Sequence, residues 1–293
     1  MIYQVIKEEN EGHNYPVSTL CQIGGVSRAA YYKWLHREIP QQEKENQRIA
    51  NIIEMIHEAS PDKGYRRIRD ELERYHDIKV NDKRVLRICR KRNIKSTIKY
   101  LSNGCTRRAA NPQYIAENIL NREFRAEAPN EKWLTDVTEF HYYIGGKKRK
   151  VYLSAILDLF DRRIVSYRIG DSNNNALVFD TLDKAVETNP EAHPLFHSDR
   201  GFQYTNRLFH AKLEAAGMTQ SMSRVGKCID NGPMEGFWGI LKRERYYGKR
   251  FTSRETLVQM IAEYIEYYNT KRLQRNLGVM TPMEKNGEYF QAA

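Results

Sequence analysis

The chain lacks the features of a membrane, secreted or disulfide-stapled protein. Its 293 residues hold four cysteines, Cys21, Cys89, Cys105 and Cys228, none in Cys-x-x-Cys spacing. Neither a zinc ribbon nor a disulfide framework can be read from them, and the eight histidines complete no Cys/His finger. No run approaches the ~18 apolar residues of a membrane span. Met1 to Asn10 carry acids and no apolar stretch, so no secretory signal is expected and the chain is expected in the cytoplasm, associated with the nucleoid. Acidic charge is also missing from one place: Lys83 to Arg108 contains ten basic residues and no acid. Solvated faces mix both signs, so a block of one sign points to a polyanionic partner.

What is present is an ordinary globular composition, 40% hydrophobic and 29% charged, with a net charge of +11. That length accommodates one sizeable domain and one or two smaller ones. Residues 15–36 read as two short helices around Gly24-Gly25, with Ser27 as a cap, in a helix-turn-helix pattern. Residues 37–46 are polar and predict a linker. Ile49, Ile52, Ile53 and Ile56 follow helical spacing, Ile68 and Leu72 mark a second helix, and Asn81 opens a third. This predicts a three-helix DNA-binding module over 47–92, with Lys83, Arg84, Arg87, Lys91 and Arg92 on the outer face of its last helix. Tyr65-Arg66-Arg67 precedes the middle helix as a phosphate clamp or as plain solvated surface; both readings are open. Residues 93–128 have no strong period and predict a basic linker.

The pattern changes after Trp133. Runs 133–143, 151–157 and 163–169 are strand-like, and helices are expected near 174–187, 205–216, 232–247 and 253–268. Short strands are expected at 195–198 and 218–222. Such an order predicts an α/β mixed sheet covered on both faces. Three acids stand out within it. Asp136 lies in an alternating strand, Asp199 ends a short apolar strand before Arg200-Gly201, and Glu235 follows the helix-opening Asp230-Asn231-Gly232-Pro233. Thirty-five residues separate Asp199 from Glu235. Two strand-end carboxylates and one helix carboxylate can converge on one point, and such a point suits divalent cations. Glu139, opposite in strand phase to Asp136, and Asp158, expected to pair with Arg162 or Arg163, are read as structural. His197 is expected on the face opposite Asp199. Asn231 is expected to cap the following helix. Lys242 lies seven residues after Glu235, on the same helix face.

The segments Trp133-x-x-Asp136-x-Thr138, His197-Ser198-Asp199-Arg200-Gly201-x-Gln203-Tyr204 and Asp230-Asn231-Gly232-Pro233-Met234-Glu235-Gly236-Phe237-Trp238-x-x-Leu241-Lys242-x-Glu244 resemble the catalytic core of insertion-sequence transposases of the IS-three family. Tyr267-Tyr268-Asn269-x-x-Arg272 resembles that family's C-terminal signature, and Gly64-Tyr65-Arg66-Arg67-Ile68 its helical DNA-binding region. Leu273-Gln274 stand where the family often has Pro-His. The chain looks like the second-reading-frame product, without the leucine-heptad segment of the first frame.

The resemblance implies a ribonuclease-H-like five-stranded mixed sheet flanked by helices, preceded by a small all-α helix-turn-helix-type region. The expected division is 1–46, 47–92, the linker 93–128, a catalytic core over 129–250 and a helical extension over 251–293. It implies catalysis and metal binding by Asp136, Asp199 and Glu235 with two Mg²⁺ or Mn²⁺ ions, and a phosphate contact from Lys242. The implied activity is cleavage at the element's terminal repeats and strand transfer into target DNA. The alternatives are a nuclease of the same fold or a non-catalytic DNA-binding regulator. Implied partners are DNA, a second copy of the chain (at least a dimer on DNA) and the first-reading-frame product, with no membrane.

Overall fold

The computed structural model describes residues 2–98, 112–225 and 228–292. Lys99, Arg107 and Arg108 of the basic block lie outside the described residues.

The N-terminal third is all helical. Helices α1 (Ile2–His13), α2 (Val17–Ile23) and α3 (Arg28–Leu35) close over Ile6, Cys21 and Tyr31. The Ser27 hydroxyl caps α3 by accepting from Ala30 N. Helix α1 was not expected, because its acid-rich sequence buries a single residue, Ile6. Helices α4 (Gln41–Ala59), α5 (Tyr65–His76) and α6 (Asp82–Lys91) pack around Ile49, Ile53, Ile68, Leu72, Val85 and Cys89. Residues 41–46, expected in a linker, are the first turns of α4. Pro40 ends the extended stretch there, and Gln, Glu and Lys are good helix formers whose polarity mimics a loop.

The core is one five-stranded mixed sheet in the order β3-β2-β1-β4-β5. Strands β1 (Lys132–Ile144), β2 (Lys147–Asp158) and β3 (Ile164–Gly170) run antiparallel, whereas β4 (Leu195–Ser198) and β5 (Thr219–Met222) continue parallel to β1. The parallel strands need crossovers, which α7 (Asn175–Thr188) and α8 (Arg207–Ala215) supply on one face. There they bury Trp133, Ile156, Val178, Phe196 and Phe209. On the other face α9 (Gly232–Leu241) and α10 (Arg254–Thr270) bury Leu134, Phe140, Leu153, Phe237, Ile261 and Tyr264. Strand alternation therefore sends 134, 136, 138 and 140 towards α9.

Three local differences matter. The helix expected to run to 247 is α-helical only to Leu241; a wider turn follows, in which Tyr247 N donates to Lys242 O at 2.7 Å. Residues 112–128, expected as linker, are pinned to the core: Tyr114 N donates to Thr205 O, and the Ile119 and Leu120 amides donate to Ser221 Oγ. Buried Leu120 adds an apolar anchor that a single leucine in a polar stretch did not advertise. Finally, α11 (Pro282–Ala292) follows the C-terminal signature and packs beside α10.

Candidate active site

The parallel ladder pairs Leu134 of β1 with His197 of β4. Two residues further along each chain come Asp136 and Asp199, so the register sets them on neighbouring tracks about 5 Å apart. Asp199 sits just past the strand, where its Oδ1 accepts from Gly201 N at 2.8 Å. A Cβ on Gly201 would stand 3.0 Å from that oxygen and 3.1 Å from Gln203 Oε1, so any other residue would press on the Asp199 carboxylate. Glu235 is exposed in the first turn of α9, a helix that packs on β1 and whose Trp238 bonds Asp136. Asp136 itself stands inside β1 and not at the strand end expected for it.

The three carboxyls sense one another. Burial, then the charges of Asp199 and Glu235, push Asp136 up to about 8 against the pull of two donors. Those donors are Val137 N at 2.8 Å and the Trp238 indole Nε1 at 3.0 Å. Burial raises Asp199 against the Gly201 amide, and burial with Asp199 raises Glu235. Tyr204, sealed beneath them, is raised well above its ordinary value by burial and by Asp136 and Asp199. Like charges gathered in a half-buried place are unfavourable alone and favour an added cation.

Among the described residues no group of three or more His, Cys, Asp or Glu is arranged to hold one metal ion. The donor chemistry nonetheless suits a hard divalent cation, because every candidate ligand is oxygen. One more oxygen is available. Asn231 was expected to cap α9, but its Nδ2 donates to Thr135 O at 3.0 Å and no cap bond forms. That bond fixes the amide orientation and leaves buried Oδ1 without a partner. Orphaned buried acceptors are rare in folded proteins, and this one lies beside the Asp136 strand.

Lys242 is partly buried: its Nζ donates to Thr138 Oγ1 at 2.6 Å and lies 5.1 Å from the Phe140 ring centre. Burial lowers its pKa, opposed by Asp136 and Glu139. Contrary to expectation, alternation along β4 gives His197 the same face as Asp199, two residues on; its two ring nitrogens bond Ser221 and Ser223, and it takes no part in the carboxylate site. Glu139 pairs with Lys150 at 2.8 Å. Asp158 pairs with neither Arg162 nor Arg163; it accepts from the Asn130 and Phe160 amides, and Asp161 takes Arg163 at 3.2 Å. Asp158 ends β2 facing the chain turn, so backbone donors reach it first.

The arginines read as DNA contacts divide. Arg67 is drawn inward to Glu244 (3.2 Å), Asp62 (3.1 Å) and the Tyr267 hydroxyl (2.7 Å). Arg84 pairs with Glu45 at 2.8 Å and Arg92 with Glu54 at 3.4 Å, both acids of α4. These three are engaged in ion pairs within the fold. Lys83, Arg87 and Lys91 remain exposed at i, i+4, i+8 on α6. Arg66 is exposed with its guanidinium 5.5 Å from the Tyr65 ring centre, while Tyr65 packs against the α4–α6 core. Trp238 stands in the motif without an assigned role, although it lies three residues after Glu235, at the spacing that returns a side chain to the same face.

The topology and the carboxylate-bearing end define an integrase-type core. A family model described as an integrase core domain matches residues 126–228, another of that description residues 235–286, and one described as an HTH-like domain residues 44–100. The chain is 36% identical over 277 residues to the putative transposase InsK for insertion sequence element IS150 of Escherichia coli (strain K12), covering 94% of this chain and 95% of that one. It is 27% identical over 286 residues to the transposase InsF for insertion sequence IS3A of the same organism, covering 94% and 95%. Among solved structures, the HTLV-2 integrase catalytic core domain in complex with magnesium is 18% identical with a TM-score of 0.41, covering 55% of this chain and 98% of that one. The chain belongs to the insertion-sequence transposases of the IS150/IS3 type.

Proposed function

We propose that this transposase cleaves the ends of its element and joins them to target DNA through Asp136, Asp199 and Glu235, with Mg²⁺ or Mn²⁺, two ions per site. The observation that carries the reading is geometric: the β1–β4 register runs Asp136 and Asp199 on neighbouring tracks, and Trp238 Nε1 of the helix that bears Glu235 donates to Asp136 at 3.0 Å. Asp136, Asp199 and Glu235 would hold the ions, with Asn231 Oδ1 a further oxygen beside them. Bound there, divalent cations supply the positive charge that lets the carboxylates ionise together and the Lewis acidity that favours phosphodiester displacement.

The chain's own groups set the stage. The Trp238 indole and Val137 amide fix the Asp136 carboxylate, and the Gly201 amide fixes Asp199. Lys242 offers a cation to a phosphate of the DNA end, two helical turns from Glu235. Water attacks the phosphorus at the element end and frees a 3′-hydroxyl; that hydroxyl then attacks a target phosphorus and displaces a strand. No step needs a covalent protein–DNA bond. Lys83, Arg87 and Lys91 present one cationic face of α6 to DNA, within the 47–92 module of the division given above. Two ends are joined in one event, so at least two copies act on DNA, with the first-reading-frame product as a further partner.

The test is cleavage and strand transfer on duplexes carrying the element ends. Asp136→Asn and Glu235→Gln are each expected to lower both activities about a thousandfold or more while DNA affinity persists. Wild-type rates in either variant would overturn the assignment, and hydrolysis without joined product would leave a nuclease.

A further inference from the structure

The β1–β2 hairpin reaches beyond the rest of the sheet. Pairing of β3 with β2 stops at Tyr152, and pairing of β4 with β1 covers only Lys132 to Leu134. From Phe140–Val151 outward the chain is therefore a ribbon of two strands alone, closing with Ile144 opposite Lys147. Its turn is Gly145-Gly146, both in the left-handed region at φ 55° and 79°, as a tight two-residue hairpin demands. About five residues per strand make the ribbon roughly 16 Å long; Phe140, Tyr142 and Val151 at its base are buried in the core, and residues 144–150 at its tip are exposed.

The tip is cationic. Lys147, Lys148, Arg149 and Lys150 are all exposed. Alternation puts Lys148 and Lys150 on the face of His141 and Tyr143, and Lys147 and Arg149 on the other. A second segment joins them from far along the chain. Tyr143 N donates to Phe251 O at 2.9 Å, His141 N donates to the Tyr246 hydroxyl at 2.9 Å, and the Arg250 guanidinium lies 4.9 Å from the Tyr143 ring centre. These contacts set exposed Lys249 and Arg250 beside the ribbon. The local acid, Glu139, is taken by Lys150. Among the described residues Lys147, Lys148, Arg149, Lys249 and Arg250 have no acidic partner, whereas Arg67, Arg84, Arg92 and Arg275 are all spent on ion pairs.

Lysines on a ribbon edge also guard against edge-to-edge pairing. That role does not account for Lys249 and Arg250, which belong to no strand and are held against the ribbon by specific bonds. A two-stranded β-ribbon has the width of a major groove, and unpaired cations on both faces match the phosphates of its two walls. We propose that this ribbon, with Lys249 and Arg250, is a second DNA-binding element that engages duplex DNA away from the cut. The proposal rests on the DNA cleavage reading above and deepens it. Eight residue steps along β1 lead from Asp136 to Ile144, which is about 26 Å or roughly eight base pairs.

The test measures binding alone, in EDTA, so that it stands even if the carboxylate assignment fails. Full-length Lys147→Ala/Lys148→Ala/Arg149→Ala is compared with wild type and with Lys184→Ala/Lys271→Ala/Lys285→Ala, which removes equal charge from helices elsewhere. Fluorescence anisotropy is followed against salt on an element-end duplex and on an unrelated duplex. Loss of the ribbon cations is expected to weaken binding and reduce the log–log salt slope by up to about three, one per phosphate contact. Loss on the element-end duplex alone assigns the ribbon to the end, and loss on both assigns it to flanking or target DNA. An unchanged slope on both duplexes, or an equal fall in the control variant, overturns the proposal.

Discussion

Asp136 and Asp158 both rise above the ordinary carboxyl range, yet only one belongs to the candidate site. Asp136 rises with two other carboxyls around it, at an end of the sheet where Glu235 is exposed. Asp158 is fully enclosed and answered by protein donors: the Asn130 and Phe160 amides and the Trp133 indole. Burial, then Asp161, pushes Asp158 up to about 6. An unfolded aspartate titrates near 4, so between about 4 and 6 the folded chain holds more protons than the unfolded one. The contribution of this group to stability therefore declines as pH rises through that window. Carboxyl ¹³C shifts should give Asp158 a midpoint near 6; a midpoint near 4 would show that neither burial nor Asp161 acts on it.

Between elements, the decisive contact is the one that ties α5 to the turn after α9. Glu244 is buried, and Arg272 grips its carboxylate at 2.9 and 3.2 Å, with the Tyr264 hydroxyl at 2.9 Å and Arg67 at 3.2 Å. Arg275 repeats the link from the core to Asp70 and Asp82 at 2.6 and 2.8 Å. The wide turn at 242–246 rotates Glu244 inward while Lys242 stays with Thr138, so one short segment serves both the site and the docking of the helical module. A buried charge stripped of its partner is costly, and Arg272→Ala is expected to cost about 3 to 5 kcal/mol in chemical denaturation. A loss below about 1 kcal/mol would mean that Glu244 finds other donors, and that the network is not what holds α9 in place.

For the whole molecule, two relations follow from charge and topology. The excess of +11 favours DNA at long range, but ion pairing within the fold decides which surfaces can use it. The exposed face of α6 and the β1–β2 ribbon keep their cations; the α4–α6 contact consumes Arg84 and Arg92. On the proposed joining of two ends by two copies, sedimentation of the protein with element-end duplex should give at least two protomers per complex. Strand transfer by a complex with one protomer would contradict that. Among the described residues no helix is long and apolar enough to cross a membrane.

Much of the core was legible because its signals are local. The alternation of Trp133 to Tyr143, the short apolar run before Asp199 and the Asn-Gly-Pro opening of α9 each fix an element without reference to the rest of the chain. They also place Asp199 just past a strand and Glu235 at a helix start, whereas Asp136, expected at a strand end, is the fifth of the thirteen residues of β1. What remained hidden depends on partners far away in sequence. Arg67 reads as a phosphate clamp until Glu244, 177 residues on, folds against it, and Asn231 reads as a cap until Thr135 offers a carbonyl. The ribbon is invisible until β3 and β4 prove too short to cover it. The sequence by itself determined the core strands and helices and the excess of positive charge, and it singled out three acids, since periodicity and composition are properties of neighbouring residues. Only the tertiary structure decided which cations stay unpaired and which oxygens stay unclaimed, because an ion pair or a hydrogen bond is settled by whichever distant group arrives at about 3 Å.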